Sequence, residues 1–298
     1  MCVIVGKYFP TIGWVAIKNR DRNYIPEISF KKDFKDGMEI LYFWDDITQY
    51  CEGINSAGVG VLSASLMVID DEKEIEQRSK TPSKDGIKIK NALKFSNIDD
   101  VVDDLTKNSL TGHTLVFDQE NMFVIEGAWI KGKYQQQDGF EFRIHKLEKN
   151  QYVVRTNHGI NIPWAGYQNS IDGSENFSRI SSESRRAIAK YVAINSKTPI
   201  DIIDGLTKKY TNNMQLNVLR TSNEDKKMRT TSQIMIIPKE NTMYVRPVQS
   251  HMSYNFWDLN VPTQKTWVEI LSNRILYTHL FDSDQESPFN HQLTHIAK

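Results

Sequence analysis

The residue with the most chemistry to offer is the second one. Cys2 directly follows Met1. A residue this small in second place normally lets methionine aminopeptidase remove the Met, so the mature chain is expected to begin at Cys2. Thiol and free α-amine would then share one residue. An α-amine has a pKa of about 7.7–8.0, near working pH. It can take the thiol proton during attack and hand one to a leaving amine, so nucleophile and general base coincide. The bland alternative is that Cys2 is a small apolar residue in the buried strand Val3-Ile4-Val5.

Other chemically able residues return to the same place if the N-terminus is a hairpin. Met1–Val5 and Gly13–Asn19 read as strands joined around Lys7-Tyr8-Phe9-Pro10-Thr11. Gly13-Trp14-Val15-Ala16-Ile17 is apolar on both faces, as a fully buried strand is. It ends abruptly in Lys18-Asn19-Arg20-Asp21. Beside Cys2, a cation from Lys18 or Arg20 favours thiolate, and the Asp21 carboxylate orients the ammonium. A solvated charge cluster is the competing reading. Further on, Thr156-Asn157-His158-Gly159 ends a strand at Tyr152–Thr156. The Asn157 amide there is either an oxyanion donor or an Asx-turn cap. Asn176–Asn195 is the clearest helix and carries Ser181-Ser182-Glu183-Ser184-Arg185-Arg186, from which Arg185 or Arg186 reaches a site.

The remaining elements build a strand-rich chain. Strands are expected at Met38–Trp44, Cys51–Asn55, Gly58–Leu66, Gly112–Asp118, Asn121–Glu126, Glu141–Leu147, Ser232–Pro238 and Thr242–Val248. The small-residue strand Gly58–Leu66 offers Ser63 and Ser65 to a pocket. Helices are expected at Ile87–Lys94, at Asn97–Lys107 with Asn97 as N-cap, at Ile200–Thr207, and from Lys265 through about Leu276. Ile69–Lys84 reads as an exposed loop and Asp282–Lys298 as a loose tail. Trp14, Trp129, Trp164 and Tyr167 line either an acyl pocket or the aromatic core.

Composition bounds the function. Among 298 residues, Lys+Arg and Asp+Glu are both 37, so no global basic field draws nucleic acid or anionic membrane. Hydrophobic content of 39% supports a sizeable core. Two cysteines, Cys2 and Cys51, make no disulfide framework and suit a reducing, cytoplasmic compartment. No apolar run reaches the roughly 18–20 residues of a membrane span, and no secretory signal stands at the N-terminus. The His residues show no ligand spacing and no glycine loop cradles phosphates, so neither metal nor cofactor is expected. No linker divides the chain, which favours one domain over 1–298, with its core in 2–250. A homo-oligomer remains open.

In combination these pieces resemble the N-terminal-nucleophile (Ntn) hydrolases that cleave linear amides: choloylglycine hydrolases, penicillin V acylases, acid-ceramidase-like enzymes and acyl-coenzyme A:isopenicillin N acyltransferases. The resemblance spans roughly residues 2–250. The offset from Cys2 to Asp21 matches the family's Cys followed by Arg-Asn-x-Asp, which places Asp21 at the amine-orienting aspartate. The family arginine falls on Lys18, a departure, with Arg20 or Arg22 as substitutes. Gly53-Ile54-Asn55-Ser56-Ala57-Gly58 matches a strand–turn–strand of the family, and Thr156-Asn157 its oxyanion-hole Asn. Ser181–Arg186 matches its Ser-rich helix, with Arg185 as the site arginine. Ser65, His158 and Trp164 fall where substrate is held.

The implied fold is α+β, a four-layer αββα sandwich of two mostly antiparallel sheets between helical layers. The implied reaction is amide cleavage through a Cys2 thioester, resolved by water in an amidase or by an amine in an acyltransferase. The substrate is a small N-acyl amide. A catalytically degenerate binding protein of this fold is the alternative. A Cys–His hydrolase built from Cys51 and His158 is the third.

Overall fold

The computed structural model describes residues 2–24, 26–66, 84–129, 139–167, 176–220, 228–247, 254–255, 266–271 and 274–279. The strands are β1 (Cys2–Phe9), β2 (Gly13–Arg22), β3 (Ile28–Lys35), β4 (Met38–Asp45), β5 (Tyr50–Asn55), β6 (Gly60–Ala64), β7 (Gly112–Phe117), β8 (Met122–Trp129), β9 (Phe140–Lys146) and β10 (Tyr152–Arg155). They continue as β11 (Arg229–Ile237), β12 (Thr242–Pro247), β13 (Tyr254–Asn255), β14 (Thr266–Leu271) and β15 (Arg274–His279). The helices are α1 (Asp85–Ala92), α2 (Ile98–Lys107), α3 (Phe177–Asn195) and α4 (Pro199–Thr207).

Two sheets result. Seven strands run in the order β10-β1-β2-β11-β12-β14-β15 and eight in the order β13-β3-β4-β5-β6-β7-β8-β9. All described pairs are antiparallel except β13 with β3. Strand alternation sorts the apolar side chains into three layers. Ile4, Trp14 and Ala16 of the first sheet meet Phe43, Leu62 and Phe117 of the second between the sheets. Val3, Val5, Val15 and Ile17 face Ala189 and Val192 of α3 and Ile202 and Leu206 of α4. Ile40, Val61 and Val116 face Ile89 of α1 and Val101 and Leu105 of α2. Helix, sheet, sheet, helix is therefore the layer order, as expected.

Local chemistry accounts for the helix starts. Asn97 accepts from the Asp99 N–H, Asn176 accepts from the Ser178 N–H, and Thr198 and Asp201 form a capping box ahead of α4. Lys7 clamps the other end of α3 by donating to the Ala193 and Ser196 carbonyls, both at 2.6 Å, where the helix is electron-rich.

One expectation is corrected and one strand was not anticipated. The helix expected from Lys265 is instead the antiparallel pair β14–β15. Thr266-Trp267-Val268-Glu269-Ile270 is β-branched and aromatic, and that outweighs helical spacing. The strand β3 had no sequence expectation, because Lys31-Lys32-Asp33 interrupts its alternation. Its outer half is exposed, Phe34 to 78%. The Ile69–Lys84 loop, apart from Lys84, and the Asp282–Lys298 tail lie outside the described residues.

The loop after β10 is fastened from below. Buried Glu126 on β8 accepts the backbone N–H groups of Ile160, Asn161 and Ile162 at 2.8, 2.9 and 3.0 Å. His113 on β7 holds the His158 carbonyl at 2.9 Å. Gly166 closes the loop at φ +73°, where a Cβ would strike the Asn157 carbonyl. Replacing Glu126 by Ala orphans three donors, each worth about 1–3 kcal/mol when buried. Glu126→Ala should lose about 3 kcal/mol or more in urea unfolding, and Glu126→Gln, which keeps one acceptor oxygen, should lose less.

Candidate active site

The end of β2 buries an unbroken polar run. Lys18, Asn19, Arg20 and Asp21 are all 0% exposed, and the Arg22 side chain is 11% exposed. Alternation continues from the apolar part of the strand, so Lys18, Arg20 and Arg22 point between the sheets while Asn19 and Asp21 point to the helices. Each is met by a partner on its own side. Lys18 is ion-paired with Glu52 of β5 and donates to the Ser63 carbonyl at 2.6 Å. Its ammonium also sits 5.1 Å from the Tyr50 ring centre. Arg20 donates to Asp45 at 2.5 Å and lies over the Phe43 ring. On the other face, Asp21 accepts from Arg185 at 2.9 Å and from Thr230 at 2.8 Å, with Arg220 at 3.5 Å.

Cys2 lies opposite Arg20 in the β1–β2 register, its side chain in the inter-sheet layer. The Arg22 guanidinium donates to its sulfur at 3.5 Å and to the Asp21 carbonyl at 2.8 Å. Burial alone would raise the thiol's pKa. The charges of Lys18, the N-terminal amine and Arg22 outweigh burial and Asp21, bringing the pKa down from 9.0 to about 6. Cys2 is thus poised to ionise in an interior that would otherwise forbid it.

The Cys2 nitrogen is also fixed. It donates to Asn157 Oδ1 at 2.8 Å. The same oxygen takes Arg185 Nη2 at 3.3 Å. Asn157 Nδ2 donates one of its two protons to the Ser65 carbonyl at 2.7 Å. The Asn157 backbone is pinned in turn: its N–H donates to Ser182 Oγ at 3.0 Å, and its carbonyl accepts from Tyr167 N at 3.1 Å. Arg185, on one turn of α3, thereby ties the carboxylate of Asp21 to the amide of Asn157.

Among the expected site residues, Cys2, Asp21, Asn157, Arg185 and the Ser65 backbone are joined in one chain of hydrogen bonds, Cys2 to Asn157, Asn157 to Ser65 and to Arg185, and Arg185 to Asp21. Lys18 acts on the thiol through its charge. Arg20 is directed to Asp45 instead, and Arg22 takes the place beside sulfur. His158 bonds Ser182 and Thr156 through Nδ1, at 2.8 and 3.1 Å. Trp164 packs against Leu66, Ile162 and Ala165 beneath the same loop. Sequence reading did not single out Glu52, Asp45, Thr230 and Arg220. The only signal was the need to neutralise a buried polar run.

The Cys51–His158 pair is not formed. Cys51 sits in the layer facing α1 and α2, and burial, then Glu52, push its thiol well above 9.0. Burial, then Arg179 and Arg186, push His158 down to about 3, which makes it a feeble base.

In the chain that retains Met1, for which this charge balance holds, the ultraviolet absorbance of thiolate should therefore appear with a midpoint near pH 6 and vanish in Cys2→Ser. Arg22→Gln should move that midpoint upward, because it removes a favourable charge. The folded thiol ionises more easily than the unfolded one, so its contribution to stability is complete above about pH 9 and fades as pH falls through about 6. A midpoint near 9 in the unmodified chain would contradict this geometry.

No family model matches the chain, and no curated protein matches it. Solved structures do. A variant of the conjugated bile acid hydrolase from Clostridium perfringens aligns with TM-score 0.50 at 13% identity, covering 95% of this chain and all (100%) of that one. A second variant of that enzyme aligns at TM-score 0.47 and 13% identity, covering 95% and 97%. Penicillin V acylase from Agrobacterium tumefaciens aligns at 0.44 and 14%, covering 83% of each. The αββα layering is thus a fold that this chain shares with the conjugated bile acid hydrolase structure.

Proposed function

We propose that this chain is a cysteine amidase that cleaves a linear N-acyl amide through a Cys2 thioester. The observation that carries the reading is the double grip on Cys2. Its sulfur accepts from Arg22, and its nitrogen is aimed at the Asn157–Arg185–Asp21 chain. The similar solved structures include an enzyme named for hydrolysing conjugated bile acids and one named for acylase action on penicillin V.

The reaction needs Met1 gone. While Met1 is attached, the Cys2 nitrogen is an amide with no basic lone pair. Freed, it is an amine near neutral pKa. The Cys2 sulfur then attacks the substrate carbonyl carbon, and the carbon–oxygen π electrons move to oxygen. The free Asn157 Nδ2–H and a backbone N–H stabilise that oxyanion. The carbon–nitrogen bond breaks, the α-ammonium gives its proton to the departing amine, and a thioester remains. Water, deprotonated by the same α-amine, adds to the thioester and releases the carboxylic acid and the thiolate. An amine in place of water makes the enzyme an acyltransferase. Asp21 and Arg185 act as positioning residues: they hold Asn157 and the charge balance around the terminal nitrogen.

Intact mass of purified protein should show Met1 absent, and an N-acyl amide library should yield a covalent acyl adduct on Cys2 at short times. Cys2→Ala should lose both adduct and turnover. Asn157→Ala should lower kcat by roughly 10²–10³, the usual effect of removing one oxyanion donor. Active protein that retains Met1, or full amide cleavage by Cys2→Ala, would refute the proposal. Processed protein with an ionised Cys2 but no adduct from any amide would favour the binding-protein reading.

A further inference from the structure

A second feature lies on the far side of α3 from Asp21. A hollow of about 410 Å³ opens between β10 and α3, with Leu147, Tyr152, Val153, Arg155, Arg186 and Lys190 in its walls. A neighbouring hollow of about 570 Å³ shares Arg186 and Lys190 and extends to Arg179. The helix spacing explains the continuity: residues 179, 183, 186 and 190 fall on one face of α3.

Three cations crowd this groove, and Glu126, whose charge acts most on Arg155 and Arg186, makes no direct ion pair with either. Among the described residues, no acidic side chain lies within ion-pair distance of Arg155, Arg186 or Lys190. The two nearest acids have other duties. Glu126 is spent on three backbone N–H groups, and Glu183 pairs with Arg179 at 2.6 Å. The Nε–H groups of Arg155 and Arg186 are buried with no acceptor. The cations also depress one another. Arg186, then burial, then Arg155 lower Lys190, and burial with Arg186 lowers Arg155 to about 10 against the pull of Glu126. Buried donors without acceptors, beside mutually repelling charges, describe half of an ion pair.

We propose that this groove binds the phosphoryl group of a small organic phosphate, with its oxygens received by Arg155, Arg186 and Lys190. A dianion fits better than a carboxylate, because three cations face one volume and guanidinium forks suit tetrahedral oxyanions. Leu147 and Val153 give the apolar wall on which the organic part rests, and the hollow is far larger than a bare phosphate needs. The site is independent of the Cys2 chemistry. It adjoins the active-site elements, since Arg155 precedes Thr156-Asn157 and Arg186 follows Arg185.

Phenyl phosphate and inorganic phosphate, titrated calorimetrically into the full chain at constant ionic strength, test this. Phenyl phosphate should bind saturably at one site, several-fold tighter than inorganic phosphate. Arg186→Gln and Lys190→Gln should each weaken it at least tenfold, while Lys107→Gln on α2 should not. Both groove residues are partly exposed and Gln keeps part of the stem, so folding should survive; circular dichroism checks it. Cys2→Ala should bind as the unmodified chain does, which separates this outcome from that of the amidase test. Absence of saturable binding, or binding indifferent to the groove variants, overturns the site. Tighter binding of inorganic phosphate overturns the organic part of the ligand.

Discussion

Burying the charged end of β2 is the constraint from which the rest of the structure follows. Moving a charged side chain from water into a protein interior costs several kcal/mol per ion unless partners and hydrogen bonds replace the water. Here Lys18, Arg20, Asp21 and most of Arg22 are buried in sequence. Alternation sends them to opposite sides of the sheet, so no single layer can neutralise them. Glu52 and Asp45 come from the second sheet, while Arg185, Arg220 and Thr230 come from the helical side. The sandwich must close on both faces before all of these charges are satisfied. The run thus registers the sheets and α3 against one another, as well as furnishing a site.

The arrangement also sets the potential at the sulfur. Lys18 and Arg22, which share the inter-sheet side of β2 with Cys2, act on the thiol together with the terminal amine, and the thiol is lowered although burial and Asp21 oppose it. The same polar contacts that fix the fold therefore prepare the nucleophile. Most of the site sits on paired strands and one long helix. Asn157 and Ser65 lie outside regular structure, and the Asn157 loop is pinned by Glu126, His113, Ser182 and Tyr167.

Much of this was legible in the sequence, for identifiable reasons. The β1–β2 hairpin followed from an apolar run broken by turn residues, and it brought Lys18-Asn19-Arg20-Asp21 back to Cys2 without any tertiary information. Asn97 announced its helix because capping is local, whereas the Asn176 cap emerged only in the structure. The αββα layering came from resemblance, since periodicity identifies faces but not which faces meet. The β14–β15 pair was misread because a short run such as Trp267–Leu271 satisfies helix and strand spacing alike, and only pairing to β12 decides. Glu52 and Asp45 were invisible as site residues: they are ordinary acids in ordinary strands until a second sheet is laid against β2.

Lys18 illustrates why residue identity is a poor guide to role at such a centre. By resemblance it stands where a guanidinium is expected, and the change reads as a loss of the planar fork. The structure divides the work differently. A compact ammonium suits the narrow space among Glu52, the Ser63 carbonyl and the Tyr50 ring, where one charge must serve several acceptors. Arg22, four residues along on the same face, extends its fork to Cys2 Sγ, the Asp21 carbonyl and the Tyr24 hydroxyl. Because strand alternation places 18, 20 and 22 in one row, the long-range charge and the direct contact can come from different members of it. What the site requires is positive potential at the sulfur with every buried donor occupied, and a row of three cations meets that requirement in more than one way.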